Sequence, residues 1–287
     1  MSNLPYAEVI GDPIGHSKSP AIHNHWIERL GIKAHYDLCL VRPGDVADYI
    51  AERRADPLWR GCNVTMPHKQ AIIASVDRLD PLARKIGAVN TVVREADGKL
   101  AGYNTDVPGF LEPLQSELAR HHHFRMARII GTGGAARAII IALLQHNMTL
   151  VVAGRDQAKA RALLDELDPG DQHHVAPLGH FANKTDFAFD DREGCFDLVV
   201  NASALGMDGQ ANLRFDISHV PPGSIVYDIV TVPRETPLLK AAQEAGFRTI
   251  DGFSMLIGQA ASAFELFFGA SPPRDDNDAH LRRILER

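Results

Sequence analysis

Short runs of β-branched and other apolar residues alternate along the chain with longer amphipathic stretches. This alternation is typical of an α/β protein, in which helices connect the strands of a largely parallel sheet. Pro20 lies in the first turn of one amphipathic stretch and Pro67 directly follows an apolar run, so both prolines predict helix starts. The first third of the chain is expected to contain strands over 6–11, 34–41 and 61–65, a helix over 19–30, and a second helix that starts in Met66-Pro67-His68-Lys69.

The pattern changes near Val107-Pro108-Gly109, where proline and glycine favour a bend between two domains. Four further apolar runs, separated by helical stretches, predict a doubly wound sheet of the nucleotide-binding kind. The tail predicts an apolar helix and then, after a polar stretch, an exposed last helix. Because the tail is too short to be a domain, we expect it to pack on one of the other two. The expected strands of this part lie over 127–131, 149–153, 198–202 and 224–229, and the apolar tail helix lies over 255–269.

The length of 287 residues allows about two domains. Hydrophobic residues make up 45% and charged residues 23% of the chain, which is the composition of a globular protein with an ordinary core. The net charge of −6 gives no indication of a basic surface that would attract nucleic acid or anionic lipid, so we expect neither as a partner. The longest apolar run, 138–144, is far shorter than the roughly 20 residues of a membrane span. The expected partner is a small molecule.

Cys39, Cys62 and Cys195 are far apart, and no Cys-x-x-Cys pair is present. Together with an N-terminus that lacks a basic stretch followed by an apolar run, they predict a cytoplasmic protein. The run His121-His122-His123 and the pair His173-His174 raise the question of a metal site. Consecutive side chains point in different directions and do not converge on one ion, so we expect solvated surface histidines and no metal.

A glycine-rich turn follows one apolar run in the stretch RIIGTGGAAR, residues 128–137. Gly131 permits a tight turn, Gly133 lets the backbone approach a pyrophosphate, and Ala136 lets the following helix pack closely. The amino end of that helix then presents free N–H groups to the phosphates. A tight turn without a ligand is the alternative, but the strand, turn and helix context favours a dinucleotide.

The residues after the next strand bear on the choice between NADP and NAD. A site selective for NAD places an acidic residue here to bind the ribose 2′-hydroxyl. Arg155 comes first in this chain, and with Lys159 it is suited to pair with a 2′-phosphate, which favours NADP. Asp156 argues for NAD, because a carboxylate repels a phosphate. These charges are also typical of an exposed helix start, so we expect NADP and keep NAD as possible.

Six sequence strings occur in one particular order along the chain. They are GDPIGHSKSPAIHN at 11–24, NVTMPHK at 63–69, GAVNTV at 87–92, GYNTD at 102–106, GTGGAARA at 131–138 and MLIGQAASAFELFFG at 255–269. In this order and content the chain resembles the shikimate/quinate dehydrogenase family from end to end. Six ordered matches make chance agreement negligible.

The resemblance implies an α/β fold with two domains separated by a cleft. The first, over 1–107, is implied to bind substrate and perform catalysis. The second, over 108–250, is a Rossmann-like NAD(P)-binding domain, and helices over 251–287 pack back on the first. The implied activity is that of a shikimate dehydrogenase, an NADP-dependent oxidoreductase that interconverts 3-dehydroshikimate and shikimate in the chorismate pathway of aromatic amino acid biosynthesis.

The resemblance also implies the residues of the site. Lys69 and Asp106 are the implied catalytic pair, since oxidation of an alcohol needs a group that takes the hydroxyl proton. Without the resemblance, Lys69 would be interpreted as a solvated lysine, Asp106 as a turn former, and Ser17 and Ser19 as helix caps. The implied substrate-binding residues are Ser17, Ser19, Thr65, Asn90, Asp106 and Gln259. The implied cofactor-binding residues are Gly131, Thr132, Gly133, Gly134, Ala135, Arg155, Asp156, Lys159, Ile229 and Gly252.

The chain departs from the family pattern at four positions. Thr231 stands where a tyrosine is usual, Val107 and Ser254 replace glycines, and Asp156 replaces a threonine. The shorter Thr231 leaves room for the extra hydroxyl of quinate, so a quinate dehydrogenase that uses NAD is the alternative activity. A nucleotide-binding regulator without catalysis is a further alternative, although a pure binder has no need of a proton-transfer pair. Monomer and homodimer both remain open.

Overall fold

The computed structural model describes residues 3–170, 172–189, 192–275 and 278–286. The chain forms two compact units, Met1–Gly109 with Ile257–Arg287 and Phe110–Leu256. Each unit is built around one six-stranded sheet. The α/β class predicted from the alternating pattern is confirmed.

Strands and helices alternate over most of the described residues. The strands are β1 (Tyr6–Gly11), β2 (His35–Leu40), β3 (Trp59–Val64), β4 (Arg78–Leu79), β5 (Thr91–Arg94), β6 (Leu100–Tyr103), β7 (Phe124–Ile130), β8 (Thr149–Gly154), β9 (His174–Pro177), β10 (Cys195–Asn201), β11 (Ile225–Asp228) and β12 (Arg248–Ile250). The α-helices are α1 (Ser19–Leu30), α2 (Val46–Ala55), α3 (Pro81–Ile86), α4 (Asp106–Leu111), α5 (Gln115–Leu118), α6 (Gly134–Leu144), α7 (Gln157–Leu167), α8 (Pro237–Glu244), α9 (Gly252–Phe268) and α10 (Ala279–Leu285). Short 3-10 helices span Ala71–Ser75, Glu112–Leu114, Leu178–Ala182 and Ile217–His219.

The sheet of the first unit is mixed, with the strand order β2-β1-β3-β5-β6-β4. Strand β1 is parallel to β2 and β3, whereas β5 is antiparallel to both β3 and β6. The carboxyl ends of β3 and β6 therefore lie at the same edge as the amino end of β5. The segments that follow β3 and β6, and the residue that precedes β5, meet at that edge.

Two local predictions for this unit are wrong. Residues 66–70 form turns that lead into the 3-10 helix, not the start of an α-helix. That 3-10 segment contains adjacent β-branched Ile72 and Ile73, which lower helix propensity. Val107-Pro108-Gly109 lies inside α4 and not in a bend, although the division into two units does fall here, between Gly109 and Phe110. Pro108 is tolerated there because a first-turn N–H has no partner within the helix.

The last helix is not exposed as expected. Leu281 and Leu285 of α10 are buried, because two leucines four residues apart share one helix face. Arg282 and Arg283 occupy the last turn, where cations are favourable near the helix carboxyl end. The helix thus contributes an apolar stripe to its unit.

The sheet of the second unit is entirely parallel, with the order β12-β11-β10-β7-β8-β9. Numbered within the unit, this order is 3-2-1-4-5-6 when it is counted from the β9 edge, which is the arrangement of a dinucleotide-binding fold. Strands β8 and β9 lie on one side of β7 and strands β10 to β12 on the other, so the strand order reverses between β7 and β10. Ligands bind at such switch points, beyond the carboxyl ends of the strands. The doubly wound sheet predicted from the sequence is confirmed.

The histidine run of the second unit is only partly solvated. His121 and His123 are exposed, but the side chain of His122 is 4% exposed and its Nε2 lies 3.1 Å from Glu117 Oε1. His173 is also buried, with Nε2 2.9 Å from Asp168 Oδ2. The expectation of solvated histidines is wrong for these two, since each ring is paired with a carboxylate.

His23 lies in an aromatic cluster in the core of the first unit. Its ring stacks on Tyr36 at 4.0 Å and packs edge-on against Trp26 at 5.9 Å. The ring is fully buried, and neither ring nitrogen has a hydrogen-bond partner among the described residues. Burial lowers the pKa of His23 from its ordinary 6.5 to about 3, because the charged form would be removed from water.

This burial predicts a pH-dependent stability. Below pH 6.5 the unfolded chain takes up a proton at His23 while the folded chain does not, so folding weakens as the pH falls toward 3. Between pH 7 and pH 5 we expect a loss of about 2 kcal/mol from this group. His23→Phe should abolish that part of the loss in urea unfolding curves, whereas His16→Gln, at an exposed position, should follow the wild type. Equal pH slopes for wild type and His23→Phe would contradict the prediction.

Candidate active site

Lys69 and Asp106 form a largely buried ion pair in the first unit. Lys69 Nζ donates to Asp106 Oδ2 at 2.5 Å, and the two side chains are only 15% and 6% exposed. The residues are 37 positions apart in sequence. The strand directions bring them together, because Lys69 follows β3 and Asp106 follows β6 at the same edge of the sheet.

The backbone on both sides of the pair is fixed by hydrogen bonds. The carbonyl of Lys69 accepts from the N–H of Val89 at 2.7 Å, which ties the turn after β3 to the segment before β5. The side chain of Asn104 accepts from the N–H of Asp106 at 3.1 Å and donates to the carbonyl of Ala88 at 3.0 Å. Asn104 therefore starts α4 in the position that directs Asp106 toward Lys69.

Asn90 holds the other oxygen of the carboxylate. Its Nδ2 donates to Asp106 Oδ1 and to Thr105 Oγ1, each at 2.9 Å. Its Oδ1 accepts from the backbone N–H of Thr105 at 2.7 Å. Because a backbone N–H can only donate, this bond fixes which end of the Asn90 amide faces Asp106.

Gln259 reaches the same cluster from α9. Its Oε1 lies 3.5 Å from Asn90 Nδ2, at the long limit of a hydrogen bond. A Cβ on Gly109 would lie 2.4 Å from the backbone nitrogen of Gln259, so α4 and α9 approach closely at this glycine. Sequence reasoning missed this role of Gly109, although an isolated glycine within a helical stretch is a signal of close backbone approach.

Three further predicted substrate residues belong to the same unit. Thr65 follows β3, and its N–H donates to the carbonyl of Ile10 at 3.0 Å. Ser17 and Ser19 lie at the start of α1, where Ser17 Oγ accepts from the N–H of Ser19 at 3.3 Å. The capping interpretation is wrong for both serines, because Lys18 is the N-cap of α1 and no side chain caps the helix, while Ser19 is buried in the first turn.

A buried polar chain that sequence reasoning missed leads to Asn90. Tyr36 Oη donates to Asn63 Oδ1 at 2.6 Å, and Asn63 Nδ2 donates to Thr91 Oγ1 at 3.0 Å. Thr91 Oγ1 in turn donates to Asn90 Oδ1 at 3.0 Å. Burial raises the pKa of Tyr36 well above its usual value, so the phenol remains a donor. Asparagine and threonine within apolar strands were the available signal.

The predicted phosphate loop lies at the switch point of the second unit. Gly131 directly follows β7 with φ of +128°, and a Cβ there would be 2.7 Å from the carbonyl oxygen of Ala202. Thr132 packs on Gly154, where a Cβ would lie 3.1 Å from Thr132 Cγ2. Gly133 precedes α6 in extended conformation, and Gly134 and Ala135 form the first turn of that helix.

The loop has room for a phosphate group. A Cβ built on Gly133 would have no atom of the described residues within 4 Å. The first N–H groups of α6 have no partner within the helix, and the helix dipole adds partial positive charge there. The residues present therefore fit the pyrophosphate of a dinucleotide.

Arg155, Asp156 and Lys159 are exposed at the start of α7. Asp156 is the N-cap, and its Oδ1 accepts from the N–H of Lys159 at 3.0 Å. The structure thus gives Asp156 the helix-start role that was the alternative at sequence level. Its charge interacts with the amino end of α7.

Ile229 and Gly252 also lie together in the second unit. Ile229 follows β11, and Gly252 is the first residue of α9. A Cβ on Gly252 would be 2.6 Å from the carbonyl oxygen of Ile229 and 2.2 Å from that of Val230. Glycine is required at 252 because the helix start contacts this loop directly.

These features define the class of the protein. A parallel sheet in this strand order, with a glycine loop at its switch point, is a dinucleotide-binding domain. The other unit presents an ion pair suited to proton transfer beside asparagine and glutamine side chains. Among the described residues, no group of three or more His, Cys, Asp or Glu side chains is arranged to hold a metal ion. No helix in the described part of the chain is long and apolar enough to cross a membrane.

Comparison with known proteins identifies the family. Residues 9–92 match the model of the shikimate dehydrogenase substrate binding domain, and residues 252–276 match that of the shikimate 5′-dehydrogenase C-terminal domain. The chain is 48% identical to the shikimate dehydrogenase (NADP+) of Sphingopyxis alaskensis, over 98% of this chain and 97% of that protein. The chain belongs to the shikimate dehydrogenase family, which confirms the resemblance seen in the sequence strings.

Solved structures agree with this assignment. A shikimate dehydrogenase crystallised with NADP+ superposes with a TM-score of 0.85 at 32% identity, covering 99% of this chain and 96% of that one. The shikimate 5-dehydrogenase of Thermus thermophilus, in complex with NADP(H) and shikimate, has a TM-score of 0.82 at 32% identity, covering 98% of this chain and all of that one. The likeness therefore extends over both units.

The two glycines of the phosphate loop should respond differently to alanine. Gly131→Ala combines a positive φ with a contact of 2.7 Å and should destabilise the protein by roughly 2 kcal/mol or more. Gly133→Ala meets neither obstacle and should change the free energy of unfolding by less than about 1 kcal/mol. Urea unfolding without added ligand measures both. Similar losses for the two variants would show that the loop geometry is wrong.

Proposed function

We propose that the protein is an NADP-dependent oxidoreductase that interconverts 3-dehydroshikimate and shikimate. The buried Lys69–Asp106 pair is the observation that favours an enzyme, because a protein that only binds its ligand has no need of a pair that can transfer a proton. The similar proteins named shikimate dehydrogenase (NADP+), at 48% and 41% identity, support the substrate and the cofactor. The Thermus enzyme that holds both NADP(H) and shikimate supports the same assignment.

Lys69 is the group that exchanges a proton with the substrate. In the reducing direction its ammonium gives a proton to the carbonyl oxygen, and in the oxidising direction its neutral amine takes the hydroxyl proton. Asp106 accepts a hydrogen bond from Lys69 and so directs the remaining N–H groups of the amine. NADP, when bound, supplies the nicotinamide ring that accepts or returns the hydride.

Short polar side chains of the first unit select the substrate. Ser17 and Ser19, at the start of α1, bind the carboxylate, which the amino end of the helix also favours. Thr65, Asn90 and Gln259 bind the ring hydroxyls. A ligand that lacks one of these hydroxyls would forgo a hydrogen bond to one of these side chains, which gives selectivity for the hydroxylation pattern.

The second unit binds the dinucleotide. The loop of Gly131, Thr132, Gly133, Gly134 and Ala135 holds the pyrophosphate at the amino end of α6, and Ile229 and Gly252 line the nicotinamide side. Arg155 and Lys159 pair with the 2′-phosphate of NADP. Because Asp156 caps α7, its charge is partly offset by the helix.

We also propose a cytoplasmic location. Cys39, Cys62 and Cys195 are free thiols, as expected in a reducing compartment.

One assay tests the proposed function. Purified protein is offered shikimate or quinate with NADP+ or NAD+ in all four combinations, and the absorbance of the reduced nicotinamide is followed. Shikimate with NADP+ should give the highest kcat/KM. A preference for quinate with NAD+ would replace the proposal by the alternative activity, and absence of turnover in every combination would favour a nucleotide-binding regulator.

Replacement of Lys69 separates chemistry from binding. Lys69→Ala should lower kcat by roughly 10²- to 10⁴-fold, the usual contribution of a positioned acid or base, and leave the affinity for shikimate nearly unchanged. Lys85→Ala, at an exposed position of α3, is the control and should keep full activity. Thermal unfolding of both variants verifies folding. A loss of affinity with unchanged kcat would assign Lys69 to binding alone.

The capping geometry makes Asp156 a clean test of cofactor choice. Asp156→Ser keeps an N-cap acceptor and removes one negative charge, so the preference for NADP+ over NAD+ should rise about fivefold. Arg155→Ala should lower the preference by roughly tenfold. Asp165→Ser, on the same helix, should leave the ratio of the two kcat/KM values unchanged. If Asp156→Ser also leaves that ratio unchanged, the carboxylate does not interact with the ribose phosphate.

A further inference from the structure

Asp228 is a buried carboxylate that the proposed mechanism does not use. It is fully buried at the end of β11, directly opposite Asn201 at the end of β10. Its Oδ1 accepts from Asn201 Nδ2 and from the N–H of Val230, each at 3.0 Å, and its Oδ2 accepts from Thr236 Oγ1 at 2.7 Å. Three donors on one carboxylate fix its two oxygens in place.

Each of these bonds holds part of the loop after β11. Val230 lies two residues beyond Asp228, so the hydrogen bond from its N–H to the Asp228 carboxylate fixes a tight turn directly after the strand. Thr236 is the N-cap of α8, and its Oγ1 accepts from the N–H of Leu239 while it donates to Asp228. The carboxylate thus ties the start of α8 to the end of β11 across residues 229–235.

Asn201 does the same for the loop after β10. Its Oδ1 accepts from the N–H and the Oγ of Ser203 at 3.1 and 2.7 Å. Its Nδ2 donates to the carbonyl of Leu205 at 2.9 Å as well as to Asp228. Asn201 and Asp228, here called the strand-end pair, therefore join the two loops through one buried hydrogen bond.

Both loops contact residues of the proposed cofactor site. A Cβ on Gly131 would meet the carbonyl of Ala202 in the first loop at 2.7 Å. A Cβ on Gly252 would meet the carbonyls of Ile229 and Val230 in the second loop at 2.6 and 2.2 Å. Because there is no free space between these glycines and the loop carbonyls, a shift of either loop displaces the glycine that it contacts.

We infer that the strand-end pair positions the nicotinamide end of the cofactor site, with Asp228 as its central acceptor. This inference rests on the proposed function, since it concerns the same dinucleotide. Asp228 and Asn201 are fully buried and act through the loops rather than by touching the ligand. They are positioning residues. Because Asn201 keeps its bonds to Ser203 and Leu205 when Asp228 is replaced, the loop after β10 and Gly131 should stay in place. Loss of the Asp228 carboxylate should therefore act on the loop after β11, and so on the part of the dinucleotide that lies against Ile229 and Gly252.

The test compares two probes of different length. NADP+ contains the nicotinamide, whereas adenosine 2′,5′-bisphosphate contains only the adenosine end, with its 2′-phosphate and the first phosphate of the pyrophosphate. Asp228→Asn places an amide N–H₂ toward at least one of three donors and should weaken NADP+ binding roughly tenfold or more. The affinity for adenosine 2′,5′-bisphosphate should change by less than about twofold. Isothermal titration calorimetry of the full chain measures both.

Matched variants separate positioning from general damage. Asp216→Asn makes the same substitution at another carboxylate that accepts from a backbone N–H, that of Ser218, and should leave both affinities unchanged. If Asp228→Asn does not fold, Thr236→Val decides, since it removes one donor to the carboxylate. Thr236→Val should weaken NADP+ selectively, and Thr236→Ser, which keeps the hydroxyl, should restore the affinity.

Equal weakening of both probes, or no weakening of NADP+, in the variants that fold would overturn the inference. The proposed function fails in a different way, namely when the wild type binds NADP+ but does not oxidise shikimate. Because the probes are measured by binding and not by turnover, the two failures are distinguishable.

Discussion

The proposed chemistry depends on one contact, the hydrogen-bonded ion pair of Lys69 and Asp106. A buried ion pair loses hydration on both sides, and it is retained only when further hydrogen bonds satisfy the charged groups. Here Asn90 occupies the second carboxylate oxygen, while Asn104 binds the N–H of Asp106. The antiparallel β5 makes this possible, because its amino end brings Asn90 to the edge where β3 and β6 deliver Lys69 and Asp106.

The second unit meets a different constraint, which is the close approach of backbone segments at the switch point of a parallel sheet. Gly131 and Gly252 have no space for a side chain because loop carbonyls lie against them, whereas Gly133 faces open space. One kind of residue therefore serves two purposes in one site. At Gly131 and Gly252 glycine allows the protein to pack on itself, and at Gly133 it leaves the loop accessible to a phosphate.

Elements with strong local signals were predicted closely from the sequence. The first strand and the helix over 19–30 have the predicted bounds, and the helix combines an amphipathic pattern with Pro20 in its first turn. Features set by tertiary packing were not predictable. The buried ring of His122, which lies 5.3 Å from the ring of Phe196, and the polar chain from Tyr36 to Asn90 depend on partners distant in sequence. The proximity of Lys69 and Asp106 could be predicted only from the family resemblance, because a separation of 37 residues along the chain does not determine the distance between two side chains in space.

Asp156 shows how the structure changes a chemical argument made from sequence. At sequence level its charge opposes the 2′-phosphate that Arg155 and Lys159 are suited to bind. In the structure the same carboxylate accepts the N–H of Lys159 and so lies along the amino end of α7. Negative charge is favourable there, and the helix end reduces its repulsion of a nearby anion. A residue that looks opposed to NADP thereby becomes compatible with it, since its charge helps to start the helix that presents Lys159.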